Sequence, residues 1–305
     1  MLAAISLQTE VTVARTADEQ TLRVSSGWPY HRELAIDAMS PEPCRDEAFS
    51  HIWAAACVFS QATQRSIGGL ALRARSSIPP ASGLSSSAAI TVATIAALDS
   101  FFGQLIPCAD LLELAYATEA VALQTGAGQM DFYGCALGGV HYLDCANQPP
   151  APVERLAMPS PVSVLVVDTR VKRSTKDIIA AKRLRWSAGE PDMMAYVQET
   201  ADRVAEIRKL LGGQDSDPWE LGMLINDCQT LLRDRLRVST ELIDECVARS
   251  LARGAYGAKL TGTGLGGCLF ALVPPDVEDR VVTALEGLPV TVHRGRIAES
   301  GLTVS

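Results

Sequence analysis

The chain has 305 residues, 48% of them apolar and 20% charged, which suffices for a large buried core in one or two domains and excludes a disordered chain. A net charge of −8 excludes a general nucleic-acid binder, which needs a basic surface to meet a phosphate backbone. No apolar run is long enough to cross a bilayer and residues 1–7 are too short for a signal peptide, so a cytoplasmic protein without a membrane partner is expected.

In chain order, residues 2–14, 21–25, 69–75 and 139–143 have strand character, while 47–64, 86–102 and 109–124 suit helices, giving an α+β first half. The run N-Q-P-P-A-P at 147–152 is a natural break and divides the chain into 1–150 and 151–305. Beyond it, 162–167 reads as a buried strand, followed by helical patterns at 176–187, 193–211, 218–236 and 240–253. The last of these puts Leu242, Ile243, Cys246, Val247 and Leu251 on one core-facing side, and Gly254 is placed to end it as a left-handed cap. Strands at 269–273 and 290–293, with a helix at 276–287 between them, close a second α+β layer.

The eight cysteines, at 44, 57, 108, 135, 145, 228, 246 and 268, form no C-x-x-C pair and read as reduced core thiols without zinc or disulfides. His31, His51, His141 and His293 are scattered and read as structural.

The most informative segment is P-P-A-S-G-L-S-S-S-A-A at 79–89. A buried helix starting near Ser86 would aim its first-turn N–H groups and positive dipole end back at Gly83, Ser85, Ser86 and Ser87, where an anion can sit. Gly83 allows close backbone approach, and a serine hydroxyl can reach a phosphate-bound Mg²⁺. Taken alone, the segment reads more readily as a serine N-cap than as a nucleotide site, and neither common nucleotide fingerprint is present.

Two further segments bear on the choice. Between a predicted helix and a strand, K-L-T-G-T-G-L-G-G-C at 259–268 carries four glycines within six residues, an entropic cost that suits a ligand-facing loop better than a plain turn. Glu119 lies late in a helical pattern and Asp131 follows Gly126 and Gly128, so the two carboxylates converge only through a folded-back loop; such a pair suits a metal ligand and a base, although isolated acids are usually solvated. The basic cluster Lys172, Arg173, Lys176, Lys182, Arg183 and Arg185 reads as a solvated helix face, with Arg173 and Lys176 as secondary candidates for a cation beside the nucleotide.

Together these segments resemble the GHMP small-molecule kinase superfamily, which includes galactokinases, mevalonate kinases and homoserine kinases. Its motif P-x-x-x-G-L-[GS]-S-S-A matches residues 79–88, its late glycine-rich motif matches 259–268, and its central Glu and Asp match Glu119 and Asp131. The resemblance implies a two-domain α+β fold with the site in the cleft between domains. It places ATP on Pro80, Ser82, Gly83, Leu84, Ser85, Ser86, Ser87 and Ala88, with Gly262, Gly264 and Gly266 lining the cleft. Ser86 and Glu119 would ligate Mg²⁺, Asp131 would be catalytic, and Gly128, Asp131 and Thr175 would meet a small-molecule alcohol.

The triple serine, G-Q-M-D at 128–131 and the separation 131 − 119 = 12 resemble galactokinases, making a sugar the first expectation for the acceptor. D-T-R-V-K-R-S-T-K at 168–176 resembles the mevalonate-kinase pattern, making mevalonate the alternative. The opening M-L-A-A-I-S-L resembles the segment just after the sugar-kinase motif G-R-x-N-L-I-G-E-H-T-D-Y, so that motif is expected to lack a counterpart. This leaves a non-catalytic nucleotide-binding homologue as a third reading, and a homodimer is allowed.

Overall fold

The structure, a computed structural model, describes residues 1–26, 31–35, 49–80, 82–145 and 153–305. The break at 147–152, Cys44 and the first residues of the helix expected from 47 lie outside the described residues.

The first half is built on a four-stranded sheet in the order β2 (Thr9–Arg15), β5 (Leu70–Ser76), β3 (Thr21–Ser26) and β4 (His31–Ala35), with β3 and β5 parallel and the other pairs antiparallel. Period-two alternation decides its faces. Leu70, Leu72 and Ala74 of β5 are buried with Leu22 and Val24 of β3, whereas Arg73 and Arg75 point to water. Among the described residues four α-helices pack in this half: α1 (Ser50–Thr63), α2 (Ser86–Phe101), α3 (Cys108–Ala117) and α4 (Met130–Leu137). Phe59, Ile95, Leu98 and Phe132 join that core.

The single strand expected over 2–14 is two strands in different sheets. Between β1 (Leu2–Ala3) and β2 the chain leaves its partner: Ile5 bridges Ile297 and the Ser6 N–H donates to the Arg296 carbonyl at 2.9 Å. The helix expected over 109–124 is also divided. Helix α3 ends at Ala117 and a π-helical turn, Thr118–Ala122, follows, with the Leu123 N–H reaching the Thr118 carbonyl at 3.0 Å. Such turns recur at functional sites, and this one carries Glu119.

The second half has an antiparallel sheet in the order β11 (Thr291–Gly295), β8 (Ser163–Asp168), β10 (Cys268–Val273) and β9 (Gly257–Leu260). Strand β8 is apolar without alternation because both faces are covered: Leu165 and Val167 enter one core, Val164 and Val166 another. Five helices pack in this half: α5 (Thr175–Ser187), α6 (Pro191–Leu211), α7 (Pro218–Asp234), α8 (Glu241–Ala252) and α9 (Glu278–Leu285). The Thr240 hydroxyl caps α8 by accepting from the Ile243 N–H, and Gly254 ends it at φ +98.

A third sheet, β1–β6–β7, is formed with β6 (Val140–Leu143) and β7 (Val153–Leu156). The last residues run back beside the first half: the Gly139 N–H donates to the Ala298 carbonyl and the Leu302 N–H to the Ala136 carbonyl. Leu7 and Leu84 pack into the core that holds Tyr256, Cys268 and Leu272, so the two halves share apolar burial beside the loops at 82–85 and 261–267.

Among the described residues no helix is long and apolar enough to cross a membrane. Cys57, Cys228, Cys246 and Cys268 are buried as expected, but Cys145 is exposed, because it lies past the end of β6.

Candidate active site

The phosphate-loop segment enters α2 through Ser85, whose backbone is left-handed at φ 57 and whose side chain makes no cap bond to the helix. The plain N-cap reading therefore fails. The Ser85 hydroxyl hydrogen-bonds the Asp131 carboxylate instead, which leaves the first-turn N–H groups of α2 without that cap. Ser86 and Ser87 are the first two residues of the helix, and Ala88 is buried in the core behind them. Ser82 is buried and its hydroxyl donates to the Pro79 carbonyl at 2.7 Å, whereas Pro80 is exposed.

The glycine-rich loop joins β9 to β10 in a hairpin, not a helix to a strand as the sequence suggests, because 257–260 pairs with β10. It lies directly on the phosphate-loop segment. The Cys268 N–H donates to the Ser82 carbonyl at 2.8 Å, and the Thr261 hydroxyl donates to the Gly83 carbonyl at 3.3 Å. A Cβ at Gly83 would sit 2.7 Å from Arg173 Nη2 and 2.9 Å from the Thr261 carbonyl oxygen. A Cβ at Gly262 would sit 2.7 Å from the Gly83 Cα, and the place of one at Gly267 is filled by the Arg173 guanidinium and the Ser82 carbonyl. Gly264 and Gly266 face away, toward Val238 and Val171. Part of the glycine requirement is thus internal: two backbones and a guanidinium share one small space.

The two acids converge from two elements. Glu119, on the π-helical turn, is only 2% exposed. Its Oε1 accepts from Thr91 Oγ1 of α2 at 3.4 Å, and its Oε2 lies 3.7 Å from His51 Nε2 in the first turn of α1. Asp131 lies in the first turn of α4, reached through the expected loop at 123–129, which turns back so that the Thr125 N–H donates to the Glu119 carbonyl at 3.0 Å. Burial raises the Asp131 carboxyl above its ordinary range, the Ser85 hydrogen bond opposes that rise, and the Glu119 charge adds to it. One turn further on, the Cys135 thiol is pushed up to about 12 by burial and by the same two carboxylates.

An isolated buried carboxylate costs several kcal/mol, so two in one field create demand for a cation. Mg²⁺ binds through one or two carboxylates, keeping waters and substrate phosphates as its other ligands. The donor set fits: a buried glutamate, a second acid and the hydroxyls at the start of α2. Among the described residues no group of three or more His, Cys, Asp or Glu surrounds a metal position.

Of the residues expected on the acceptor, Gly128 is exposed with open space around its Cα, and Thr175 is the exposed first residue of α5. The basic cluster needs correction. Lys172, Lys176 and Arg183 are exposed, but Arg173 and Lys182 turn inward to the glycine loop. Arg173 Nε donates to Thr263 Oγ1 at 3.2 Å and Lys182 Nζ to the Thr263 carbonyl at 2.8 Å. Arg185 binds Glu190 and the carbonyls of Arg235 and Leu236. Spacing held one signal for Lys182, which follows the buried Ile178 by four residues on the same helix face. Thr91, a polar residue inside an apolar helix, signalled the Glu119 contact; nothing in the sequence marked His51.

Residues 50–139 match the family described as GHMP kinases N terminal domain, and residues 204–288 the one described as GHMP kinases C terminal. The mevalonate kinase of Thermococcus sibiricus is 31% identical over 243 residues, covering 77% of this chain and 69% of that protein. A crystal structure of mevalonate kinase aligns at a TM-score of 0.82 and 21% identity, covering 98% of this chain and 92% of that one. Lactococcus lactis galactokinase complexed with galactose aligns at 0.81 and 20% identity, covering 99% and 88%. These two likenesses establish the two-domain α+β fold, and kinases of this kind generally use ATP with Mg²⁺. With both halves matched in order and a relative of this identity across most of its length, the chain belongs to the GHMP kinase family, as an ATP-dependent kinase of small molecules.

Proposed function

We propose that the chain transfers the γ-phosphoryl group of ATP to a hydroxyl of a small hydroxy acid of the mevalonate type. The feature that favours the acid over a neutral sugar is the R-S-T-K segment at 173–176, which matches the mevalonate-kinase pattern and supplies in Arg173 a cation suited to an acceptor carboxylate. The mevalonate kinases at about 30% identity support the same choice. A second reading, a hexose, is favoured by the triple serine and the G-Q-M-D segment.

Phosphoryl transfer demands in-line positioning and neutralised phosphate oxygens rather than covalent chemistry from the protein. In this reading the N–H groups and hydroxyls at 83–88 cradle the phosphates. Mg²⁺, held by Glu119 and Ser86, supplies charge neutralisation at the transferring group. Thr91 and His51 hold the Glu119 carboxylate in orientation. Asp131 accepts the acceptor's hydroxyl proton; its burial favours a base whose affinity for a proton is raised, and Ser85 fixes its direction. The halves 1–150 and 151–305 act as the two walls of the cleft, with the glycine loop covering the phosphates and excluding water.

Coupled-enzyme assays with mevalonate, galactose and other hexoses test this. Turnover with mevalonate and little with the neutral sugars is expected; preferential turnover of galactose would overturn the hydroxy-acid assignment.

A further inference from the structure

Lys182 stands out among the groups the reaction scheme does not use. It is half-buried on α5, and its ammonium is bound to the carbonyl of Thr263, whose hydroxyl is held by Arg173. The charged groups facing it come from three elements: Arg173 from the segment before α5, Arg185 on α5 itself and Lys259 on β9. Arg173 and Arg185 are cations in a chain of net charge −8, and burial lowers the Lys259 ammonium's pKa as well. Arg185 is paired with Glu190, and Asp168 is one acid that faces Arg173. Collecting like charges around a half-buried ammonium is costly unless an anion completes the group.

We propose that Lys182 and Arg173 form a dicationic oxyanion site at the tip of the glycine loop, and that binding an anion there is coupled to protonation of Lys182. The inference rests on the kinase reading above and adds proton linkage to its anion-binding loop. Desolvation, then the three basic groups, bring the Lys182 ammonium from 10.5 down to about 8, so at that pH about half the molecules lack this charge. An oxyanion stabilises the charged form and draws a proton onto the amine. Two ligands offer the chemistry, a nucleotide phosphate and an acceptor carboxylate.

Calorimetry at pH 8 in two phosphate-free buffers of different ionisation enthalpy, titrating metal-free ADP, mevalonate and galactose in turn, distinguishes them. The oxyanion that occupies the site should bring an uptake of roughly half a proton, and its affinity should fall about tenfold from pH 7 to pH 9. Uptake with ADP alone assigns the site to phosphate; uptake with mevalonate alone assigns it to carboxylate. Lys182→Arg should bind as tightly as the parent at pH 7 with no pH dependence and no uptake. Lys182→Met should bind at pH 7 as weakly as the parent does at pH 9. An anion that binds with no uptake, or an uptake that survives in Lys182→Arg, overturns this inference while leaving the kinase reading intact. Galactose binding with the same uptake also overturns it. Failure of every ligand to bind overturns both.

Discussion

The two loops that meet in the cleft are built to opposite electrostatic plans. The α2 side, from the first half, brings acids: Glu119, which accepts a hydrogen bond from Thr91 and lies 3.7 Å from His51, and Asp131 beside the Ser85 hydroxyl. The glycine-loop side, from the second half, brings cations: Arg173 and Lys182 on Thr263. The acids are held by side chains on helices, the cations by a loop whose shape depends on left-handed glycines. A metal-bound polyphosphate carries both signs, and a cleft with one wall of each can hold it across the halves.

The contrast can be broken first on the acid wall. Asp131→Asn keeps size and hydrogen bonding but removes the basic oxygen, so phosphoryl transfer should fall by roughly 10²-fold or more with Mg·ATP affinity near normal. Steady-state kinetics beside calorimetry would show it; an unchanged rate removes Asp131 from the chemistry. Glu119→Gln should weaken Mg·ATP binding by about 10²-fold while metal-free ATP binds nearly as before, and Thr91→Val should do the same by roughly tenfold. Equal losses with and without Mg²⁺ would make both residues structural.

On the other wall the effects should appear in stability. Gly264→Ala forces a Cβ to 2.5 Å from the Val238 Cβ at φ +87 and should cost roughly 1–3 kcal/mol in denaturant unfolding of the apo protein. Gly128→Ala meets open space and should change stability by less than about 0.5 kcal/mol. A cost at 128 as large as that at 264 would refute this division of labour.

A further effect on this wall is pH-linked. Because the folded state releases the Lys182 proton near pH 8 and the unfolded chain near 10.5, burying that ammonium opposes folding below about 8, and the penalty is relieved as pH rises to 10.5. The thermal midpoint of Lys182→Met relative to the parent should therefore be highest near pH 7 and decline across that window. A constant offset would mean Lys182 titrates normally.

Local pattern determined much of this protein. Alternation in β5, the unbroken apolar run of β8, and the caps around α8 each follow from a few neighbouring residues, so the α+β halves were legible. So were the acids and glycines, whose order along the chain carries the family signature. Tertiary structure alone decided who faces whom. Ser85 looked like a cap and instead binds Asp131; Arg173 and Lys182 looked solvated and instead grip Thr263; His51 carried no mark and meets Glu119. The physical reason is separation: these contacts join residues far apart in sequence, most of them on different elements, and no periodicity within one helix or strand encodes the approach of another. Only the packing of the halves sets those distances, and with them which charges are buried.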